Sequence, residues 1–186
     1  MSEKLDKAIS FAVDAHKGQK RKMEKTPYIL HPMEVAAIVG SITDDEEIMM
    51  AALLHDVVED TETTLSDIEE EFGPRVAKLV ASETEDKRRH KPPIETWKTR
   101  KEESLEELKT TRDEGIKILW LADKLSNMRA LYRGYRKNGD RIFETFNQKN
   151  KEEHAWYYRT IARYLEKYQD LVAYEEYIEL INKVFL

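Results

Sequence analysis

Residues 53 to 60, LLHDVVED, place one histidine and three carboxylates inside a hydrophobic segment. An isolated charge in a protein core costs several kcal/mol or shifts its pKa until it becomes neutral. On a helix, successive side chains turn by about 100°, which gathers these polar groups on one arc of about 140°. The arc contains His55, Asp56, Glu59 and Asp60. A bound cation would neutralise it, whereas an ordinary His-Asp dipeptide at a solvated helix end would need no cation.

Three further residues have the chemistry to complete a metal site. His31, in PYILHP, is the best second nitrogen donor. Asp123, in KILWLADKLSNMRAL, interrupts a hydrophobic run where an unpaired carboxylate would be costly, and Asn127 shares its helix face. Each also has a structural alternative. His31 could pack beside Pro32, Asp123 could pair with Lys124 or an arginine, and Asn127 could be a buried structural amide.

The other histidines are weaker candidates for ligands. His16 ends an apolar stripe, which favours a core residue or one that supports a ligand from behind. His90 and His154 lie among charged residues, and we expect both at the surface. The chain has no cysteine, which excludes disulfides, thiolate catalysis and cysteine-bound zinc. Any metal site must therefore use histidine and carboxylate.

The composition favours one cytoplasmic domain that spans residues 1–186. Of the 186 residues, 40% are hydrophobic and 37% are charged, which suits a globular protein with a substantial core. The net charge of −6 argues against a nucleic-acid binder, because phosphate contacts require a basic surface. No segment approaches the roughly 18 apolar residues of a membrane span, and the N-terminus lacks the hydrophobic core of a signal peptide.

Hydrophobic periodicity predicts an all-α fold, a helical bundle of about eight to ten helices. No segment alternates with a period of two. Gly18 and Gly73 are typical helix stops, Pro74 is a typical start, and Thr64 with Asp67 predicts a capping box. We expect helices near residues 5–16, 32–39, 44–60, 65–72, 74–82, 94–109, 115–132, 150–168 and 170–184, with a loop at 87–93.

Five motifs occur in an order and spacing that resemble a known family. They are AHKGQKRK, PYILHP, LLHDVVEDT, FGPRVAKLV and LADKLSNMRAL, and they span residues 15 to 131. Together they resemble the hydrolase domain of the RelA/SpoT alarmone enzymes, which are HD metal-dependent phosphohydrolases. The segment SETEDK is most similar to the stand-alone small alarmone hydrolases, the group that includes the metazoan SpoT homologue.

The resemblance implies roles for individual residues. The implied ligands of one metal ion, typically Mn2+, are His31, His55, Asp56 and Asp123. The implied catalytic acidic pair is Glu59 and Asp60, and the implied nucleotide-binding residues are Arg21, Lys22 and Asn127. Which of Arg21 and Lys22 meets the base stays open. Lys98, Arg100 and Lys101 resemble a WxxRK element of bacterial single-domain relatives and are further candidates for substrate binding.

The implied reaction removes the 3′-pyrophosphate of guanosine tetra- or pentaphosphate, giving GDP or GTP. Because the chain is short, we expect hydrolysis without synthesis. Basic clusters support a polyanionic substrate: residues 17 to 25 hold five Lys/Arg against one Glu, and residues 87 to 101 hold seven against one. The alternatives are another phosphate ester, such as NADPH or a nucleoside monophosphate, and a nucleotide-binding module without turnover.

Overall fold

The structure is a computed structural model that describes residues 2–21 and 25–186. Within this part of the chain it contains ten α-helices, two 3-10 helices and no β-strand, apart from one isolated bridge between Lys20 and Pro27. The all-α prediction is therefore confirmed. The helices are α1 (Glu3–Ala15), α2 (Leu30–Ile42), α3 (Glu46–Leu54), α4 (Val57–Asp60), α5 (Leu65–Phe72), α6 (Pro74–Ala81), α7 (Pro93–Thr110), α8 (Glu114–Asn138), α9 (Lys151–Tyr164) and α10 (Val172–Phe185), with 3-10 helices at Gly139–Thr145 and Glu166–Tyr168.

The described chain divides into two compact units. The first contains residues 2–21, 25–84 and 113–123, and in it α3 packs against α1, α2 and α6. The second contains residues 85–112 and 124–186, and in it α9 packs against α7 and α10. The expectation of one domain over residues 1–186 stays a prediction. None of the described helices combines the length and hydrophobicity needed to cross a membrane.

The predicted helix ends are confirmed by specific capping contacts. The Thr64 hydroxyl accepts from the Asp67 N–H at 3.2 Å, and the Asp67 carboxylate accepts from the Thr64 N–H at 2.8 Å, which is a complete capping box for α5. Gly73 has a φ of 97°, a conformation that favours glycine, and Pro74 begins α6 directly after it. The helix that begins at this turn, α6, packs against both α5 and α3.

The prediction of one continuous helix from residue 44 to Asp60 is wrong. The structure has α3 up to Leu54, a turn at His55 and Asp56, and then the short α4. Nδ1 of His55 lies 2.8 Å from the carbonyl oxygen of Ala52, which a continuous α-helix would offer to the N–H of residue 56. The histidine side chain thus competes with the helix ladder at the position where the polar arc begins.

The C-terminal predictions need smaller corrections. The helix expected to end near Tyr132 continues to Asn138, and the helix expected at residues 150–168 ends at Tyr164, with the 3-10 helix Glu166–Tyr168 after it. The 3-10 helix Gly139–Thr145 was missed, because short 3-10 segments carry little hydrophobic periodicity. The surface position expected for His154 is wrong: the residue is 7% exposed. Its ring lies against Phe143 and Phe146, and its Nε2 donates to the Gln148 carbonyl at 2.7 Å. Aromatic contacts and one backbone acceptor therefore account for its burial. His90 is exposed, as expected.

Candidate active site

The four predicted metal ligands come together in the first unit. His31 lies in the first turn of α2, His55 and Asp56 form the turn between α3 and α4, and Asp123 lies on α8. His31, His55 and Asp123 are 4%, 1% and 3% exposed, and Asp56 is half-buried. Three separate segments therefore contribute polar side chains to one buried point.

The distances between these side chains suit one metal ion. Oδ2 of Asp56 lies 3.1 Å from Nε2 of His55 and 3.5 Å from Nε2 of His31. Oδ1 of Asp123 lies 3.1 Å and 3.6 Å from Nε2 of His31 and of His55, respectively. Metal bonds of about 2.1 Å at tetrahedral or octahedral angles place neighbouring ligand atoms about 3.0–3.4 Å apart. The donor set, two imidazole nitrogens and two carboxylate oxygens, suits a divalent ion.

The hydrogen bond of His55 leaves its second nitrogen available to a metal. Because a carbonyl oxygen only accepts, the contact with Ala52 requires a proton on Nδ1. Nε2 is then the atom whose lone pair a metal would bind once the ring is neutral. It is buried and faces Oδ2 of Asp56 at 3.1 Å and Oδ1 of Asp123 at 3.6 Å. A backbone contact that fixes the histidine tautomer in this way is the usual support for a metal-binding imidazole.

The electrostatics of the cluster also favour a cation. Burial alone would lower the pKa of His55, but the Asp56 and Asp123 carboxylates raise it well above its ordinary value of 6.5. Burial alone would raise the pKa of Asp56, but the imidazoles of His55 and His31 hold it below its usual range. The carboxylates of Asp56 and Asp123 therefore attract positive charge to the place where the four side chains come together.

The predicted acidic pair forms the last two residues of the short helix α4. Glu59 and Asp60 are both half-buried and lie one turn after the His-Asp turn. The hydroxyl of Tyr28 lies 2.6 Å from Oδ2 of Asp56 and 3.1 Å from Oδ2 of Asp60. Asp60 is thus linked to the proposed ligand set through one hydroxyl group.

Sequence reasoning missed two polar residues of this site, Tyr28 and Gln19. Tyr28 lies inside the PYILHP motif, and its position three residues before His31 was the available signal. Nε2 of Gln19 donates to the backbone carbonyl of Asp60 at 3.0 Å, and Oε1 of Gln19 lies 2.9 Å from Nδ1 of His16. His16 is buried, as expected, and its ring contacts the Gln19 side chain that donates to Asp60.

Of the three predicted nucleotide-binding residues, the structure describes two, Arg21 and Asn127. The guanidinium of Arg21 lies 5.7 Å from the ring centre of Tyr28, so the structure brings Arg21 to the candidate site. Lys22 lies outside the described residues. Asn127 is half-buried on α8, one turn after Asp123, and belongs to the second unit.

The three cations of α7 that were predicted to bind substrate are paired with carboxylates of the second unit. Nζ of Lys98 lies 2.6 Å from Glu153 and 3.2 Å from the ring centre of Trp156. Arg100 and Lys101 lie 2.5 Å and 2.7 Å from the two oxygens of Glu85, respectively. A role for Lys98, Arg100 and Lys101 in substrate binding stays a prediction.

Comparison with known sequences gives one family and several curated relatives. The HD domain family matches residues 8–150. Mouse MESH1, a guanosine-3′,5′-bis(diphosphate) 3′-pyrophosphohydrolase, is 44% identical over 133 residues, which are 69% of this chain and 70% of the mouse protein. The Xenopus tropicalis MESH1 protein is 45% identical over 68% of each chain. A long Aquifex aeolicus enzyme named for the same activity is 39% identical over 70% of this chain, but this chain spans only 18% of that enzyme.

Two solved structures are similar to this chain over most of its length. The structure described as a metazoan ortholog of SpoT that hydrolyses ppGpp has a TM-score of 0.76 at 28% identity, over 100% of this chain and 98% of that one. A Listeria monocytogenes protein has a TM-score of 0.71 at 32% identity, over 86% of this chain and 96% of its own. The chain therefore belongs to the HD domain family, as a relative of the MESH1 pyrophosphohydrolases.

Proposed function

We propose that the protein hydrolyses the 3′-pyrophosphate of guanosine 3′,5′-bis(diphosphate) and of the corresponding pentaphosphate, releasing pyrophosphate with GDP or GTP. The observation that carries this proposal is the cluster of two imidazoles and two carboxylates with an acidic pair one turn further on. The MESH1 relatives, named for this activity, support the choice of substrate. The cytoplasmic location expected from the sequence is part of the proposal.

The proposed metal ligands are His31, His55, Asp56 and Asp123, with Mn2+ as the proposed ion. A divalent ion bound there would polarise a phosphoryl oxygen and lower the pKa of a coordinated water. His55 contributes Nε2, because its Nδ1 is engaged with the Ala52 carbonyl. Asp56 contributes Oδ2, the oxygen nearest to both imidazoles.

The acidic pair would handle the protons of the reaction. An attacking water must lose a proton as its oxygen bonds to the phosphorus atom attached to the ribose 3′ oxygen. As the bond between that phosphorus and the 3′ oxygen breaks, the departing oxygen must gain a proton. The carboxylates of Glu59 and Asp60 would orient the water, accept its proton and return one to the 3′ oxygen. Their half-buried positions leave both groups accessible to a substrate.

Cationic residues would neutralise the two pyrophosphate groups of the substrate. Arg21 is the best supported of them, because it lies against Tyr28 beside the proposed ligands. Lys22, Lys98, Arg100 and Lys101 complete the proposed cations, and the neutral amide of Asn127 is proposed to bind the nucleotide by hydrogen bonds. Among them, Arg100 and Lys101 share Glu85, so a substrate would have to compete with that carboxylate.

The proposal is tested by the products that the Mn2+-loaded protein releases from guanosine tetraphosphate. The assay separates GDP and pyrophosphate from phosphate, with NADPH and nucleoside monophosphates as competing substrates and Asp56→Ala as the control. We expect GDP and pyrophosphate in equal amounts, lost in the variant, and no synthesis from GTP and ATP. Turnover of NADPH or a monophosphate alone would overturn the substrate choice, and tight nucleotide binding without any product would identify a binding module.

A further inference from the structure

The hydroxyl group of Tyr28 lies between two carboxylates of different proposed roles, Asp56 and Asp60. We propose that Tyr28 is a positioning residue: its hydroxyl holds Oδ2 of Asp56 in the orientation that binds the metal and keeps Asp60 beside it. This inference rests on the metal ligands of the proposed function. It adds a residue to which neither the comparisons nor the sequence motifs assign a role.

The first argument is that Tyr28 contacts the same oxygen atom that faces the two histidines. Oδ2 of Asp56 lies 2.6 Å from the Tyr28 hydroxyl, 3.1 Å from Nε2 of His55 and 3.5 Å from Nε2 of His31. A carboxylate oxygen can accept this hydrogen bond and still bind a metal, because it has more than one lone pair. The hydroxyl thereby limits rotation of the carboxylate about its terminal bond.

The second argument concerns Asp60. The Tyr28 hydroxyl donates to Oδ2 of Asp56 at 2.6 Å and to Oδ2 of Asp60 at 3.1 Å. Its single proton is therefore shared between the two carboxylates, with the shorter bond to Asp56. A neutral group between two carboxylates keeps them close without direct contact between like charges.

The third argument is that the surrounding chain fixes the position of the Tyr28 ring. The ring centre lies 4.8 Å from that of His16 and 6.1 Å from that of His31. The Tyr28 N–H donates to the Gln19 carbonyl at 3.0 Å, and the Gln19 side chain donates to the Asp60 carbonyl at 3.0 Å. The segment that carries the hydroxyl and the segment that carries Asp60 are therefore tied together by independent hydrogen bonds.

The variant Tyr28→Phe removes the hydroxyl and keeps the ring. Its Mn2+ dissociation constant is measured by competition with a fluorescent chelator, and its kcat and KM on guanosine tetraphosphate are measured with saturating Mn2+. Loss of a side chain that orients a metal ligand weakens metal affinity or activity by about 10–100-fold. We expect a loss of that size in both metal affinity and kcat, with KM within about threefold, because the substrate-binding cations are unchanged.

The matched control is Tyr174→Phe, which removes another buried hydroxyl, one that donates to the Ala162 carbonyl in the second unit. It should keep the metal affinity and the kcat of the unmodified protein. A Tyr28→Phe protein that binds Mn2+ as tightly as the unmodified protein would overturn the inference. The metal measurement needs no substrate, so it decides the role of Tyr28 even if guanosine tetraphosphate is the wrong substrate.

Discussion

At the scale of single residues, His55 has two effects on the structure. Its Nδ1 donates to the Ala52 carbonyl near the end of α3. Its Nε2 faces the carboxylates of Asp56 and Asp123. His55 and Asp56 form the turn between α3 and α4, where Oδ2 of Asp56 lies 3.5 Å from Nε2 of His31. The same histidine thus lies at the break between the two helices and supplies a nitrogen donor to the candidate site.

Asp56, which directly precedes α4, and Glu59, which lies within it, should separate metal binding from chemistry. Asp56→Ala should lose Mn2+ and all turnover, because it removes one of four proposed ligands. Glu59→Ala should bind Mn2+ with unchanged affinity and lose about 10²–10⁴-fold in kcat, the usual contribution of a general acid or base. Bound metal is measured by elemental analysis after gel filtration, and kcat by pyrophosphate release. Full turnover in Glu59→Ala would contradict the assignment of the acidic pair.

The sequence was sufficient to predict the grouping of the polar side chains, because buried carboxylates need a counter-charge wherever the chain places them. It was insufficient for Tyr28 and Gln19. A tyrosine and a glutamine are compatible with both core and surface, and their contacts depend on the path of residues 17–29, a segment without periodicity. Their role became visible only from distances to Asp56 and Asp60.

At the scale of elements, α7 is anchored by an ion-pair network. Glu85 is 12% exposed and accepts from Arg100, Lys101 and Ser104. Burial alone would raise the pKa of Glu85, but Lys101 and Arg100 hold it below its ordinary value of 4.5. The sequence predicted the helix correctly, but not the carboxylate that pairs with Arg100 and Lys101, since Glu85 lies before the loop at residues 87–93.

This network predicts a pH-dependent contribution to stability. Because the pKa of Glu85 is lower in the folded than in the unfolded chain, its contribution is present above about pH 4.5 and is lost as the pH falls through the folded value. Glu85→Gln should therefore lower the free energy of unfolding by about 1–3 kcal/mol at pH 7 and by progressively less below pH 4.5. Urea unfolding at pH 7, 5 and 4 measures the difference.

The control for this experiment is Glu106→Gln, which removes the partner of Lys109 in an exposed pair on the same helix. Exposed pairs contribute about 0–1 kcal/mol, so this variant should unfold like the unmodified protein at each pH. A difference between Glu85→Gln and the unmodified protein that stays constant from pH 7 to pH 4 would contradict the network as described.

At the scale of the whole molecule, the fold class followed from periodicity, whereas the division into two units did not. The first unit takes residues 113–123 from a distant part of the chain, and no Gly- or Ser-rich linker marks the change. That segment carries Asp123, which lies 67 residues after Asp56, so the proposed metal would join two distant parts of the sequence. A metal that joins distant segments should stabilise the folded state, because the unfolded chain does not preform the ligand set.

Metal binding should accordingly raise the melting temperature. At a free Mn2+ concentration 100 times its dissociation constant, binding stabilises the folded state by about 2.7 kcal/mol. For a chain of this size, that corresponds to an increase in Tm of about 5–10 °C. Differential scanning calorimetry with Mn2+ and after chelation measures the shift, and Asp56→Ala should show almost none. Equal melting temperatures in both conditions would contradict a metal site built from these residues.

The most direct test of the account is a titration of the metal-free protein with Mn2+ while pyrophosphate release from guanosine tetraphosphate is recorded. We expect no release without metal, an increase in proportion to the metal added, and a plateau at one ion per chain. Full activity in the metal-free protein, or no pyrophosphate at any metal concentration, would contradict the claim that a single ion bound to His31, His55, Asp56 and Asp123 supports this reaction.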